Sequence, residues 1–272
     1  MIHAKKSLGQ NFLNSKKIAR AIISAGELSS TDTVLEIGPG KGFLTSELLL
    51  SGAHVIAVEK DDRMIPLLKE KFANEIKRKQ LVVIHEDILN IIQNKERFFI
   101  LEKNDHPLFD YKLVANIPYY LTGQIIRNFL EAKNKPTQMI LMVQNEVATR
   151  ILARDKKESI LSIAVKVYGA PRLVKKVPAR YFTPAPKVNS AVIAIESISN
   201  KNFTENSIDE KKFFEVLRAG FAHKRKKLAG NLRHLFGDKT IDVFSYAKIN
   251  MDARAEDITL SNWIAIVRCP LQ

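Results

Sequence analysis

The sequence predicts an α/β protein: a doubly wound parallel sheet, with a small all-α domain at its C-terminal end. Three observations predict it. Short β-branched runs alternate with helical stretches over roughly the first 200 residues, a glycine cluster closes the first strand, and beyond Ser207 the spacing is helical only. Thr33–Ile37 is a β-branched run ending at the glycines, as a buried parallel strand does. Residues 42–50 follow with helical spacing, His54–Glu59 gives a second strand, and 61–73 reads as a helix. Residues 81–84, 111–115 and 139–143 are the third to fifth strands, most of them separated by helical patterns, as parallel crossovers require. Residues 174–177 and 191–196 read as a late strand pair around Pro184-Ala185-Pro186. Residues 197–207, rich in Ser and Asn, read as a linker, and Ser207-Ile208-Asp209-Glu210 has the capping-box form that opens a helical stretch. The expected domains are 1–199 and 200–272.

The 272 residues carry 43 Lys+Arg against 29 Asp+Glu, a net charge of +14, and are 46% hydrophobic. That hydrophobic share excludes a disordered tail. A single cysteine, Cys269, excludes an intrachain disulfide and a multi-cysteine zinc site, and the six histidines are too scattered for another metal site. The first ten residues lack an apolar signal region and no run approaches bilayer-spanning length, so a cytoplasmic protein with no membrane partner is expected. The excess charge is grouped. Three acid-free stretches hold 17 cations: Lys5, Lys6, Lys16, Lys17 and Arg20; Lys166, Arg172, Lys175, Lys176, Arg180 and Lys187; Arg218, Lys224, Arg225, Lys226, Lys227 and Arg233. A membrane-surface helix needs an apolar face beside its cations, which the first two stretches do not offer. A polyphosphate partner is expected instead, bound in a salt-dependent way by stretches lying outside the α/β core.

Glu36-Ile37-Gly38-Pro39-Gly40-Lys41-Gly42 places glycines at i, i+2 and i+4 after a strand, where a ligand can approach backbone with no Cβ in its way. Phe43 stands where a dinucleotide fingerprint has its third glycine, and no Gly-Lys-Ser/Thr ending marks a phosphate loop. Glu59, at the end of the second strand, suits a pair of ribose hydroxyls, and Asp87, after the third, an exocyclic amine. Together they point to an adenosine-containing ligand without pyrophosphate, and S-adenosylmethionine fits. Asn116-Ile117-Pro118-Tyr119 closes the fourth strand. If the acceptor is the N6 amine of adenine, an Asn oxygen and the Ile117 carbonyl would take its two protons, Pro118 would stiffen the turn, and Tyr119 would offer a face to an extruded base. Such catalysis is positioning and electrostatics, with no strong base.

These residues, with Leu8-Gly9-Gln10-Asn11-Phe12-Leu13, the 144–150 stretch, Phe182-Thr183-Pro184-Ala185-Pro186-Lys187-Val188 and the 219–228 stretch, carry a resemblance over nearly the whole chain. The sequence resembles the ribosomal RNA adenine N6,N6-dimethyltransferases, most closely their small-subunit (16S) branch. The resemblance implies a Rossmann-like methyltransferase domain. Asn11, Leu13, Gly38, Glu59, Asp87 and Asn116 would line its S-adenosylmethionine site. Asn116, Ile117, Pro118 and Tyr119 would hold the target adenine, with Phe182 on its other face. The implied substrate is a pair of adjacent adenosines in the 3′-terminal hairpin loop of 16S rRNA, within the small (30S) subunit or its precursor. The protein would act as a monomer, its helical domain aiding docking. Glu158-Ser159, Asn145, Asn189 and Lys227 depart from the family pattern and put local RNA contacts in doubt.

Two rivals remain. A 23S rRNA adenine methyltransferase of the macrolide-resistance type shares the glycine turn and the Asn-x-Pro-Tyr element, and a non-catalytic assembly factor could use the same basic surface. Phe182 also reads as a strand-end core aromatic, Trp263 as core of the last helix, His85 as a strand-end residue, and His223 and His234 as added donors.

Overall fold

The protein is described by a computed structural model covering residues 4–5, 8–93 and 110–270. Lys6, of the first basic stretch, lies outside the described residues. The chain forms two compact units: Met1–Ala148 with Pro171–Ile198, and Thr149–Ala170 with Ser199–Gln272.

The first unit holds strands β1 (Phe12–Leu13), β2 (Thr33–Ile37), β3 (His54–Glu59), β4 (Leu81–His85), β5 (Lys112–Asn116), β6 (Gln138–Gln144), β7 (Ala170–Val177), β8 (Phe182–Thr183) and β9 (Ser190–Glu196). Seven of them form one sheet in the order β4-β3-β2-β5-β6-β9-β7, parallel from β4 to β6. β9 runs antiparallel to β6, with Met139 opposite Ile195 and Gln144 opposite Ser190. The sheet is therefore mixed rather than wholly parallel, because no crossover helix lies between β7 and β9 to carry the chain back to the starting edge. β1 and β8, not expected from the sequence, pair in a separate two-stranded ribbon.

Strand β2 is buried on both faces, as its aliphatic run demands, with the Glu36 carboxylate as the exception at 1% exposure. Around the sheet lie α1 (Lys16–Ala25), α2 (Phe43–Leu50), α3 (Met64–Lys71), α4 (Ala73–Lys77), α5 (Ile88–Gln93), α6 (Thr122–Glu131) and α7 (Asn145–Ile151). α1 buries Ile18, Ala19, Ile22 and Ala25, and α6 buries Ile125, Ile126, Phe129 and Leu130, the i, i+3/i+4 stripe of a sheet-facing helix. Each large aliphatic so buried contributes about 1.5–3 kcal/mol. The single helix expected over 61–73 is divided: Phe72 leaves helical geometry (φ −115°, ψ 30°) and turns its ring to the glycine loop.

The chain runs from β2 through β3 to β4 on one side, then crosses to β5 and β6 on the other. The carboxyl ends of β2 and β5 flank this reversal, where open α/β sheets leave a crevice. Parallel register sets Ile37 beside Val58 and Ala115, and Glu59 beside His85, so the residues that follow each strand share one edge.

The second unit comprises α8 (Ile160–Lys166), α9 (Lys201–Asn206), α10 (Glu210–Gly220), α11 (Leu228–Phe236), α12 (Thr240–Tyr246) and α13 (Leu260–Arg268). The expected cut after residue 199 falls one residue from a unit boundary, but residues 149–170 join the helical unit, which corrects the 1–199 domain. The reason is packing. The Tyr168 ring lies 5.3 Å from Phe203 and 6.0 Å from Phe214, its hydroxyl donates to Glu210 at 2.6 Å, and Asn202 donates to the Val167 carbonyl at 2.7 Å. The expected linker is largely helix α9, with Phe203 buried. Ser207 (φ +52°) ends α9, while Asp209 caps α10 by accepting the Lys212 N–H at 2.8 Å, so the Ser207 capping box does not form. Trp263 is fully buried in α13 as expected. Among the described residues no helix is long and apolar enough to cross a membrane.

Candidate active site

The glycine turn after β2 has three left-handed residues, Gly38 (φ +69°), Gly40 (+54°) and Gly42 (+70°), and they answer different needs. A Cβ on Gly40 would stand 2.9 Å from Phe12 Cε1, and one on Gly42 2.5 Å from Phe72 Cε2. These two are required by packing as well as conformation. A Cβ on Gly38 would meet nothing within 4 Å and would project into a cleft. Opposite, Glu59 is buried, its Oε2 accepting the Gly40 N–H at 2.9 Å and its Oε1 the Asp61 N–H at 2.8 Å. Burial raises its pKa, and the N–H donors of Asp61 and Gly40 oppose the rise. Asp87 accepts the Leu89 N–H at 3.0 Å through Oδ1 and the Lys60 ammonium at 2.7 Å through Oδ2. Each carboxylate oxygen has a second lone pair, so both acids retain acceptor capacity.

At the end of β5, Asn116 donates its Nδ2–H to the Asn11 carbonyl at 3.0 Å, which fixes the amide and leaves Oδ1 as its accepting end. Pro118 (φ −53°, ψ 128°) starts a tight turn in which its carbonyl accepts the Leu121 N–H at 2.9 Å. The Tyr119 hydroxyl lies 2.8 Å from Ser190 Oγ on β9, which fixes the ring. Burial pushes this phenol upward, against the Ser190 hydrogen bond, so it stays neutral. The segment before β1 crosses the cleft: Gln10 donates to Asp61 Oδ2 at 2.8 Å, and a Cβ on Gly9 would stand 3.2 Å from the Tyr120 ring. Asp61 also takes Arg63 at 2.6 Å and is held well below the usual carboxylate range.

A cleft of about 230 Å³ results, walled by Asn11, Gly38, Glu59, Asp87, Asn116, Ile117, Pro118 and Tyr119, all expected site residues. Two others lie elsewhere. Leu13 and Phe182 sit opposite each other in the β1–β8 ribbon, 6% and 3% exposed, and pack into the sheet core. Leu13 lines a second cavity of about 360 Å³, with Glu36, Lys41 and Lys71, that shares Gly38, Phe12 and Asn116 with the cleft. Phe182 is not among the residues walling either cavity; it pairs with Leu13 and packs among core side chains. Glu36 is pushed up to about 8 by burial, with the Glu59 charge adding and Lys71 opposing.

Sequence reasoning missed Ser190, Lys60 and Tyr120. Lys60 was legible as the residue after Glu59; Ser190, 71 positions from Tyr119, had no local signal. The departures from the family pattern carry fold contacts. Glu158 pairs with Lys166, Ser159 caps α8 in a box with Ser162, Lys227 meets Asp252 at 2.5 Å, Asn189 Oδ1 accepts the Ala179 N–H at 3.1 Å, and the Asn189 carbonyl accepts the Asn145 N–H at 3.0 Å.

The basic stretches need a correction as well. Lys16, Lys17 and Arg20 lie on α1 and Arg172, Lys175 and Lys176 on β7, hence within the sheet architecture rather than outside it. Several cations find distant acids: Arg20 with Glu47 at 3.6 Å, Arg172 with Glu196 at 2.7 Å, Lys5 with Asp61 at 3.5 Å. A window free of acid in sequence is not free of acid in space.

A sheet with one antiparallel strand, a glycine turn at its reversal and an acid closing the adjacent strand define the Rossmann-like methyltransferases. A 23S rRNA methyltransferase, ErmE, shares this fold with a TM-score of 0.73, at 22% identity over 94% of this chain and 98% of its own. A dimethyladenosine transferase from Plasmodium falciparum does so with a TM-score of 0.74, at 25% identity over 94% and 95%. The chain belongs to the ribosomal RNA adenine dimethylase family, whose model matches residues 1–269. A ribosomal RNA small subunit methyltransferase A from Dehalococcoides mccartyi is 40% identical over 265 residues, 96% of this chain and 87% of that protein.

Proposed function

We propose that the protein transfers methyl groups from S-adenosylmethionine to N6 of two adjacent adenosines in the 3′-terminal hairpin loop of 16S rRNA, in the 30S subunit or its precursor, as a cytoplasmic monomer. The observation that carries this reading is the Asn116 amide, oriented by the Asn11 carbonyl at the wall the two cavities share.

The cleft fits the donor. Gly38 leaves open the space a Cβ would fill, Glu59 offers spare acceptors to ribose hydroxyls, and Asp87 offers one to the exocyclic amine. Asn11 lines the cleft, Gly38 lines both cavities, and Leu13 lines the second. S-adenosylmethionine supplies an electrophilic methyl group on a sulfonium sulfur. Asn116 Oδ1 and the Ile117 carbonyl accept the two protons of the target amine, drawing the nitrogen lone pair out of the ring. Pro118 holds that carbonyl in a turn, and the Tyr119 ring, fixed by Ser190, supports the flipped base. No basic residue is needed, because the methylated ammonium loses its proton to water.

The test is to supply labelled S-adenosylmethionine with small subunits lacking the modification, and separately with large subunits, and to map the label. Label on two adjacent 16S adenosines is expected. Label only in 23S rRNA overturns the reading in favour of the macrolide-resistance type, and none in either favours a non-catalytic factor.

A further inference from the structure

Between α10 and α11 the chain forms an exposed loop, 222–227, with four consecutive cations. Lys227 is paired with Asp252, but among the described residues no carboxylate bridges Lys224, Arg225 or Lys226. A loop of this kind is expected to be mobile, since like charges repel and no apolar side chain anchors it. Here its ends are fixed. Phe221 stacks on Trp263 at 5.5 Å, and Gly220 fits beneath because it has no Cβ, which would stand 2.3 Å from Trp263 Cη2. At the far end, Leu228 is fully buried and its N–H donates to the Ala253 carbonyl at 2.8 Å.

Between these ends one buried side chain holds the entry to the loop. Asn231, on the first turns of α11, is 4% exposed, and its Nδ2 donates to the Gly220 carbonyl at 2.6 Å and to the His223 carbonyl at 3.1 Å. Both amide protons are thus spent on carbonyls that bracket the entry to the cationic loop. Its own Oδ1 is buried with no partner. An unsatisfied buried oxygen destabilises a fold, a cost set against the two carbonyls that the amide satisfies. The amide thus leaves one of its own atoms unpaired while fixing the shape of the loop's entry.

We infer that Asn231 is a positioning residue for RNA docking: it holds the 222–227 loop in one conformation, so that Lys224, Arg225 and Lys226 are presented together to rRNA phosphates. The inference rests on the small-subunit substrate proposed above. Pre-ordering removes the entropy otherwise lost when the loop is fixed on binding, and so acts on affinity rather than on the chemical step.

The test variant is Asn231→Leu, close in size, which removes both donors and the orphaned oxygen while leaving every cation in place. Three readouts are taken on the full chain: steady-state kinetics with unmodified small subunits, the rate of tryptic cleavage after residues 224–227, and the thermal midpoint. We expect a KM raised about five- to tenfold with kcat unchanged and faster loop cleavage, both measured below the variant's thermal midpoint so that unfolding does not contribute. Unchanged KM and cleavage overturn the inference, as does a loss of kcat at unchanged KM. Should Asn231→Leu fold poorly, Asn231→Ser, whose hydroxyl can serve one carbonyl, replaces it with intermediate effects expected. A parallel Lys224→Gln/Arg225→Gln/Lys226→Gln variant separates the two readings. If it raises KM while Asn231→Leu does not, docking stands and the clamp fails; if it too leaves KM unchanged, the docking on which the clamp depends fails.

Discussion

The cleft and the 222–227 loop treat charge in opposite ways. The acids of the cleft are already engaged, Glu59 by two main-chain N–H groups, Asp87 by Lys60 and Glu86 by the Asp87 N–H, as is the neighbouring Asp61 by Arg63 and Gln10. In the loop Lys224, Arg225 and Lys226 stand exposed with no acid bridging them among the described residues. Fixed, compensated groups discriminate by geometry and respond little to salt, whereas unpaired surface cations attract any polyphosphate and lose that attraction as salt rises. Under the function proposed above, chemistry falls to one region and attachment to the other, and the contrast can be broken by experiment.

The largest effect is expected at the chemistry. Asn116→Ala should lower kcat by about 10²–10³-fold or more, the scale set by removing one preorganised group at a reacting centre, while subunit affinity changes only a few-fold. A tritiated-methyl assay beside a binding assay checks this, and unchanged turnover would remove Asn116 from the reaction. Next, Gly38→Val places a side chain in the open space of the turn at φ +69°, and S-adenosylmethionine affinity by calorimetry should fall about tenfold or more. If it stays within twofold, the donor does not lie along the glycine turn. Third, Arg225→Gln with Lys226→Gln should flatten the log–log salt dependence of subunit binding by roughly 1.4 units and leave the donor's affinity untouched. An unaltered slope would take the loop out of the interface.

The smallest effect concerns Glu36, whose folded-state pKa of about 8 exceeds the ordinary 4.5. Between those values the folded protein binds the extra proton, so this group's contribution to stability is full below about pH 4.5 and is lost as pH rises through about 8. Glu36→Gln should flatten the pH dependence of the unfolding free energy across that window and gain on the wild type at pH 9. Parallel curves for the two proteins would show that Glu36 is not held protonated.

Much of this was legible in the chain. Strands Thr33–Ile37 and His54–Glu59 lie where the β-branched runs put them, because a strand buried on both faces must be aliphatic throughout. The cleft residues were legible for a related reason: parallel strands end on a common edge, so residues just after successive strands meet however far apart they are in sequence. What was not legible depended on partners without a local signature. Phe182 reads from the sequence both as a base-stacking aromatic and as a core residue, and its pairing with Leu13, 169 positions away, has no local signal. Residues 149–170 looked like part of the sheet domain, but Tyr168 completes an aromatic cluster made by α9 and α10.

The sequence by itself determined the alternating α/β order, the glycine turn, the residues at the strand ends and the positive charge, since each depends on local periodicity or composition. Only the tertiary structure decided which cations are neutralised, that β9 runs antiparallel, that Asn11 orients Asn116, and that Asn231 holds the cationic loop. Those are questions of which groups come within hydrogen-bonding distance after the chain has closed on itself, and hydrophobic pattern does not encode distance between residues far apart in sequence.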